Sequence, residues 1–186
     1  MSRKIRKARK RCEAVVAELL LPPEAGLEEV CDLVADRVGQ PVHTLTMPLG
    51  GVASGMTILL ERELWICADQ DTSAWHQVHV QLHELGHLLM GHEKEPAVAE
   101  EALTLWTPSL DTGVAMRHMG IGPAFWRHHA YDKPAEMEAE IVASLLEERI
   151  SPHLAPSPAL HGRAQHIAAT LGPVLQHTPR GAQRRA

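Results

Sequence analysis

The chain has 186 residues, 45% apolar and 22% charged, which suits one globular domain with a substantial core. Aromatics make up only 3%, so that core must rest on Leu, Val, Ala and Met. A formal net charge of -5 excludes a global electrostatic attraction to nucleic acid. No segment approaches the roughly 18 apolar residues of a membrane span.

The first element is a helix over 3–20, where Ile5, Ala8, Cys12, Val15 or Val16 and Leu19 recur at steps of three and four. Pro22-Pro23 stops it. Its basic run, Arg3 to Arg11, reads as a solvated helix start in preference to a contact with nucleic acid or an acidic partner, and no signal-peptide cleavage site follows it. A second helix is predicted over 27–38, with Gly39 just past its end. Residues 41–48 then alternate like a strand, Gly50-Gly51 marks a turn, and 56–60 and 64–68 are short β-prone runs. Together they predict a small three-stranded antiparallel sheet.

Asp71-Thr72-Ser73 offers an N-cap for a helix running to Met90, with Gly91 ending it. Trp75, Val78, Leu82, Leu85 and Leu89 form its expected core stripe. Further helices are expected at 97–107 and at 133–149, the latter with Pro134 in its first turn and an apolar stripe of Met137, Ile141 and Leu145. Beyond Ser151 the chain becomes Pro-rich, with a short helix near 161–171, and reads as a C-terminal extension. Three cysteines, Cys12, Cys31 and Cys67, form no C-x-x-C pair and suit buried or free thiols in a reducing compartment.

The chemistry lies in 83-HELGHLLMGH-92. On a helix, positions i and i+4 sit one above the other, so His83 and His87 can chelate one metal ion. Glu84, one step round from His83, can reach a water bound to that ion and take its proton as the water attacks a carbonyl. The pattern fits zinc-assisted hydrolysis, most often of a peptide bond. Gly86 costs about 1 kcal/mol against Ala in a helix interior and so suggests close approach by another backbone or by substrate. His76 and His79 extend the same stripe, where they either support the ligand histidines or are solvated, the solvated reading being the favoured one.

A catalytic zinc commonly takes three protein ligands, and this helix supplies two. His92 is one candidate. The metzincin pattern, however, places Gly three and His six residues after the second ligand, whereas Gly91 and His92 fall at four and five. The better candidate lies in 136-EMEAEIVASLL-146, where Glu136 and Glu140 share a helix face. One of these carboxylates can bind the metal while the other accepts the N–H of a ligand histidine. Ala139 and Ala143 would let this helix pack close to the first. Glu138, turned about 200° from Glu136, is expected to face solvent.

HELGHLLMGH followed by E-x-E-A-E-x-V-A resembles the ImmA/IrrE family of cytoplasmic zinc metallopeptidases, within the gluzincins. The family pattern is H-E-[LI]-G-H followed by E-x-E-A-[ND]-x-F-A. The resemblance covers about residues 60–146. With the elements read above, the expected fold is an α+β zincin-like domain over 1–150, in which a small three-stranded antiparallel sheet packs on a helical core bearing the HExxH helix and a facing Glu-bearing helix. The resemblance implies zinc ligands His83, His87 and Glu136, with Glu84 as general base. Glu140 stands where the family has Asn or Asp, Val142 where it has Phe, and the segment between His87 and Glu136 is long for the family. Glu140 and Tyr131 are candidates for a supporting or oxyanion-stabilising role, as are His128 and His129. The implied partner is a protein substrate, commonly a helix-turn-helix repressor, with any DNA contact made through that partner. The competing expectation is a regulatory or toxin–antitoxin module that binds its partner without cutting it. A small-molecule hydrolase also fits the motif. Glu84 favours an enzyme, because a structural zinc site has no need of a base.

Overall fold

The computed structural model describes residues 3–49, 54–59, 62–92, 125–127 and 133–150, together with 162, 164, 165, 167–169 and 172. Helix α1 spans Arg3–Glu18 and buries Ala8, Cys12 and Val16 at steps of four, one narrow stripe on an otherwise charged helix. Ile5, placed on this stripe by its spacing, is instead exposed, because the first turns of α1 overhang the core. Helix α2 spans Leu27–Val38 and buries Val30, Cys31 and Val34. Glu29 accepts the Gly26 backbone N–H at its start, and Gly39 closes it in the left-handed conformation at φ 75°.

Strands β1 (Val42–Met47), β2 (Gly55–Leu59) and β3 (Leu64–Asp69) form the sheet, and a short fourth strand, β4 (Phe125–Arg127), pairs with the outer edge of β2. The fold is α+β as expected, but the sheet is mixed rather than antiparallel. Its order is β1-β3-β2-β4. β1 runs parallel to β3, with Val42 opposite Leu64 and Met47 opposite Asp69, while β2 is antiparallel to β3. The sequence-adjacent strands β1 and β2 therefore never pair, because β3 inserts between them. All six residues of β3, Leu-Trp-Ile-Cys-Ala-Asp, are buried, as a strand with neighbours on both edges and cover on both faces requires.

Helix α3 spans Ala74–Met90 and helix α4 spans Lys133–Glu147. They pack mainly on one another. α1 lies against a second flank of α4, and α2 sits beside α3 and β1. The apolar cluster at their centre joins Cys12 and Val16 of α1, Val30 and Val34 of α2, Val42, Leu64 and Ile66 of the sheet, Leu82, Leu85 and Leu89 of α3, and Val142 and Leu146 of α4. Cys12 Sγ donates to the Glu138 carbonyl and Arg149 donates to the Val16 carbonyl, fastening the C-terminal half of α1 to α4 and the turn that follows it. The three cysteines are free and buried. The helix expected at 97–107 lies outside the described residues. The described residues between 162 and 172 are helical, and Ile167 among them is buried. No described helix is long and apolar enough to cross a membrane.

Candidate metal centre

The site is built on α3, whose start and end are both fixed by local chemistry. The Ser73 hydroxyl accepts the His76 N–H as an N-cap. At the other end Gly91, at φ 63°, lets its own N–H reach the Leu88 carbonyl and that of His92 reach the His87 carbonyl, a Schellman closure. Between these ends Leu82, Leu85 and Leu89 point into the core, as their spacing predicts. Trp75 does not. It is 60% exposed and stacks on His79, because the first turn of α3 projects past the core.

His83 and His87 point from α3 toward Glu136 in the first turn of α4. Close approach of the two helices makes this possible. A Cβ on Gly86 would lie 2.9 Å from the Ala139 carbonyl oxygen and 3.1 Å from the Ala139 Cα. Gly86 is therefore where α4 backbone meets α3 backbone, and the buried Ala139 and Ala143 keep the α4 side of the contact thin.

His83 Nε2 lies 3.1 Å from His87 Nε2 and 3.2 Å from Glu136 Oε2, and His87 Nε2 lies 3.8 Å from Glu136 Oε1. Two ligands each about 2.0–2.1 Å from a tetrahedral zinc stand about 3.3–3.4 Å apart, so this spacing fits one small cation. The chemistry of the donor set fits too: two imidazoles and a carboxylate are a ligand set used by hydrolytic zinc sites. Among the described residues, this is the group of His, Cys, Asp and Glu side chains whose ligand atoms converge.

Each histidine presents its other nitrogen to a partner. His83 Nδ1 lies 3.3 Å from Glu140 Oε2, so the carboxylate can accept the Nδ1 proton and leave the Nε2 lone pair for the metal. Glu140 thus lies beside His83 and outside the converging group. The same Glu140 oxygen lies 3.3 Å from His79 Nε2, whose Nδ1 is 2.9 Å from Glu147. His79, expected to be solvated, is held between two carboxylates of α4.

His87 Nδ1 lies 2.9 Å from His92 Nδ1, and His92 Nε2 lies 3.2 Å from Glu138 Oε2. His92 is not in the converging group. Glu138 does not face solvent: its side chain is 13% exposed and also takes Arg11 of α1 at 3.2 Å. Glu138 is turned about 200° from Glu136 by helix geometry, but α1 and the end of α3 meet it there in place of solvent. Helical periodicity alone does not show how many neighbours a helix has.

Glu84 receives a hydrogen bond of 2.7 Å from the Thr57 hydroxyl of β2. Thr57 is a buried polar residue in an otherwise apolar strand, Gly-Met-Thr-Ile-Leu, and that contrast was the signal available in the sequence. Burial, reinforced by the nearby Glu84 charge, raises the pKa of the Cys67 thiol well above its ordinary value and keeps it protonated. Tyr131, His128 and His129 lie outside the described residues. Compared with protein-family models, curated proteins and solved structures, the chain matches none of them.

Proposed function

We propose that the protein is a zinc-dependent metallopeptidase that cuts a specific protein partner, a helix-turn-helix repressor or related transcription regulator. The observation that carries this is the convergence of His83, His87 and Glu136 with Glu84 on the same helix, tethered by Thr57. A bound zinc would lower the pKa of a water to about 7 and polarise the scissile carbonyl. Glu84 would take the proton of the attacking water and deliver it to the departing amine. Thr57 would hold the Glu84 carboxylate in one orientation. Glu140 would fix His83 through its Nδ1 proton. The choice of a regulator as substrate rests on the resemblance of HELGH and EMEAEIVA to the ImmA/IrrE family, as does a cytoplasmic location.

The test pairs metal analysis with Glu84→Gln. The variant should retain zinc and lose cleavage of the partner by about 100-fold or more, the usual range for removing a general base. Glu136→Ala should instead strip the metal. Unchanged biological activity in Glu84→Gln would show a module that binds its partner without proteolysis. Full zinc content in Glu136→Ala would remove Glu136 from the ligand set.

A further inference from the structure

We propose that His92 is a positioning residue for His87, acting through a hydrogen-bonded chain that runs His87–His92–Glu138–Arg11. The inference rests on His83, His87 and Glu136 being a metal centre.

The direction of each hydrogen bond follows from the end of the chain. Arg11 has only donors, and its Nη1 reaches Glu138 Oε2 at 3.2 Å and Oε1 at 3.4 Å. The Glu138 carboxylate is an acceptor, so the 3.2 Å contact to His92 requires the His92 proton on Nε2. A neutral His92 protonated there offers a lone pair at Nδ1. At 2.9 Å the facing His87 Nδ1 must then donate, which places the His87 proton on Nδ1 and its lone pair on Nε2. That is the nitrogen directed at His83 and Glu136. With His92 neutral, reversing any one of these bonds would set two lone pairs or two protons against each other; a protonated His92 would donate from both nitrogens and turn the His87 proton to Nε2, where a bound cation would oppose it.

The geometry needs a residue that folds back on α3, and the Schellman closure at Gly91 provides it. Residue 92 is the position whose backbone N–H returns to the His87 carbonyl in that motif, so its side chain lies over the same turn. The five-residue offset that takes His92 out of the metzincin register therefore suits it to serve His87 instead. Arg11 secures both sides, because its Nη2 also donates to the Met90 carbonyl at the end of α3, 3.2 Å away. His92 and Glu138 are little exposed, at 9% and 13% of their side chains, so water competes weakly for these bonds. His83 relies on one carboxylate, Glu140, for the same task. The two ligands are thus oriented by separate acceptors on α4, one direct and one through His92.

The test compares wild type with His92→Phe, which keeps ring volume but offers no acceptor, and His92→Gln, whose amide oxygen can accept from His87. Two measurements are made: Zn2+ affinity by competition with a chromophoric chelator, and the His87 tautomer in the metal-free protein by imidazole 15N NMR. His92→Phe should lose about 10- to 100-fold in Zn2+ affinity, the usual effect of removing such a partner, and its His87 should no longer hold the proton at Nδ1 alone. His92→Gln should recover most of the affinity and the Nδ1 proton. Thermal melting of the metal-free proteins separates this from a folding defect, which would depress both variants without the rescue. Zn2+ affinity within twofold of wild type in His92→Phe, or an unchanged His87 tautomer, would overturn the inference alone. Failure of wild type to bind Zn2+ would overturn the metal centre and this inference together.

Discussion

Replacing Gly86 by Ala should weaken the metal centre although residue 86 touches no ligand atom. The added Cβ would stand 2.9 Å from the Ala139 carbonyl oxygen, 3.1 Å from the Ala139 Cα and 3.3 Å from the Val142 Cβ. Non-bonded carbon atoms prefer about 3.5–4.0 Å, so α3 and α4 must separate by about half an ångström. Two of the three contacts are backbone, which a rotamer change cannot relieve. The ligand set straddles this contact, with His83 and His87 on α3 and Glu136 on α4. A metal site tolerates about 0.2 Å of error in its bond lengths, less than the required shift.

Two effects on stability then oppose each other. Ala gains about 1 kcal/mol over Gly in a helix, while overpacking a close-packed contact costs about 1–3 kcal/mol. The metal-free variant should therefore be unchanged or destabilised by up to about 2 kcal/mol, a fall in Tm of up to about 8 °C for a chain of this size. When the metal draws the helices back together, a strain of about 1–2 kcal/mol subtracts from binding, weakening Zn2+ affinity by about 5- to 30-fold. Chelator competition and thermal melting measure the two quantities. A variant that melts higher than wild type, as helix propensity alone would dictate, and binds Zn2+ as tightly would refute the close-packing account.

Thr57→Val should remove the 2.7 Å bond to Glu84 while leaving the ligands in place; peptidase turnover should fall about tenfold with zinc content unchanged, and turnover within twofold of wild type would show that Glu84 needs no tether. The buried thiols should be unreactive to iodoacetamide at pH 8 in the folded protein and react once it is unfolded by urea. Burial, with smaller contributions from nearby carboxylates, raises Cys12 to about 11 and Cys31 to about 12. Because these folded values lie above the unfolded value of about 8.5, the stability they represent is intact below that pH and is lost as pH rises toward 11 and 12. Urea midpoints should accordingly fall between pH 8.5 and 11, and Cys31→Ala should flatten part of the slope; an identical slope in that variant would exclude the Cys31 thiol as a cause.

The helices were legible because each carries its own punctuation. Ser73 and Gly91 bracket α3, and Gly39 closes α2, at the positions the sequence indicates. The sheet order was less legible, since strand pairing joins residues that no local pattern connects. The turn residues at 50–51 and the short strands predict an antiparallel sheet, whereas β3 lies between β1 and β2 and runs parallel to β1. One local signal did bear on this. Leu64-Trp-Ile-Cys-Ala68 is apolar without alternation, the mark of a strand covered on both faces and hence central.

The site divides along the same line. The convergence of His83 and His87 follows from a spacing of four, because an α-helix fixes where i+4 points. Apart from His92, which directly follows α3, the residues that hold the site's side chains come from other elements: Thr57, beside Glu84, from β2, Arg11 from α1, and Glu138 and Glu140 from α4. Glu138 shows why such residues resist a reading of one helix at a time. Its angle from Glu136 is a local property, but whether that direction meets water or a guanidinium depends on where α1 docks. α1 buries Ala8, Cys12 and Val16, and through Cys12, whose thiol reaches the Glu138 carbonyl, a highly charged helix docks on α4. The docking of this stripe thus sets Arg11 against Glu138 and the end of α3. The environment of His87 consequently depends on three helices, of which the motif names one.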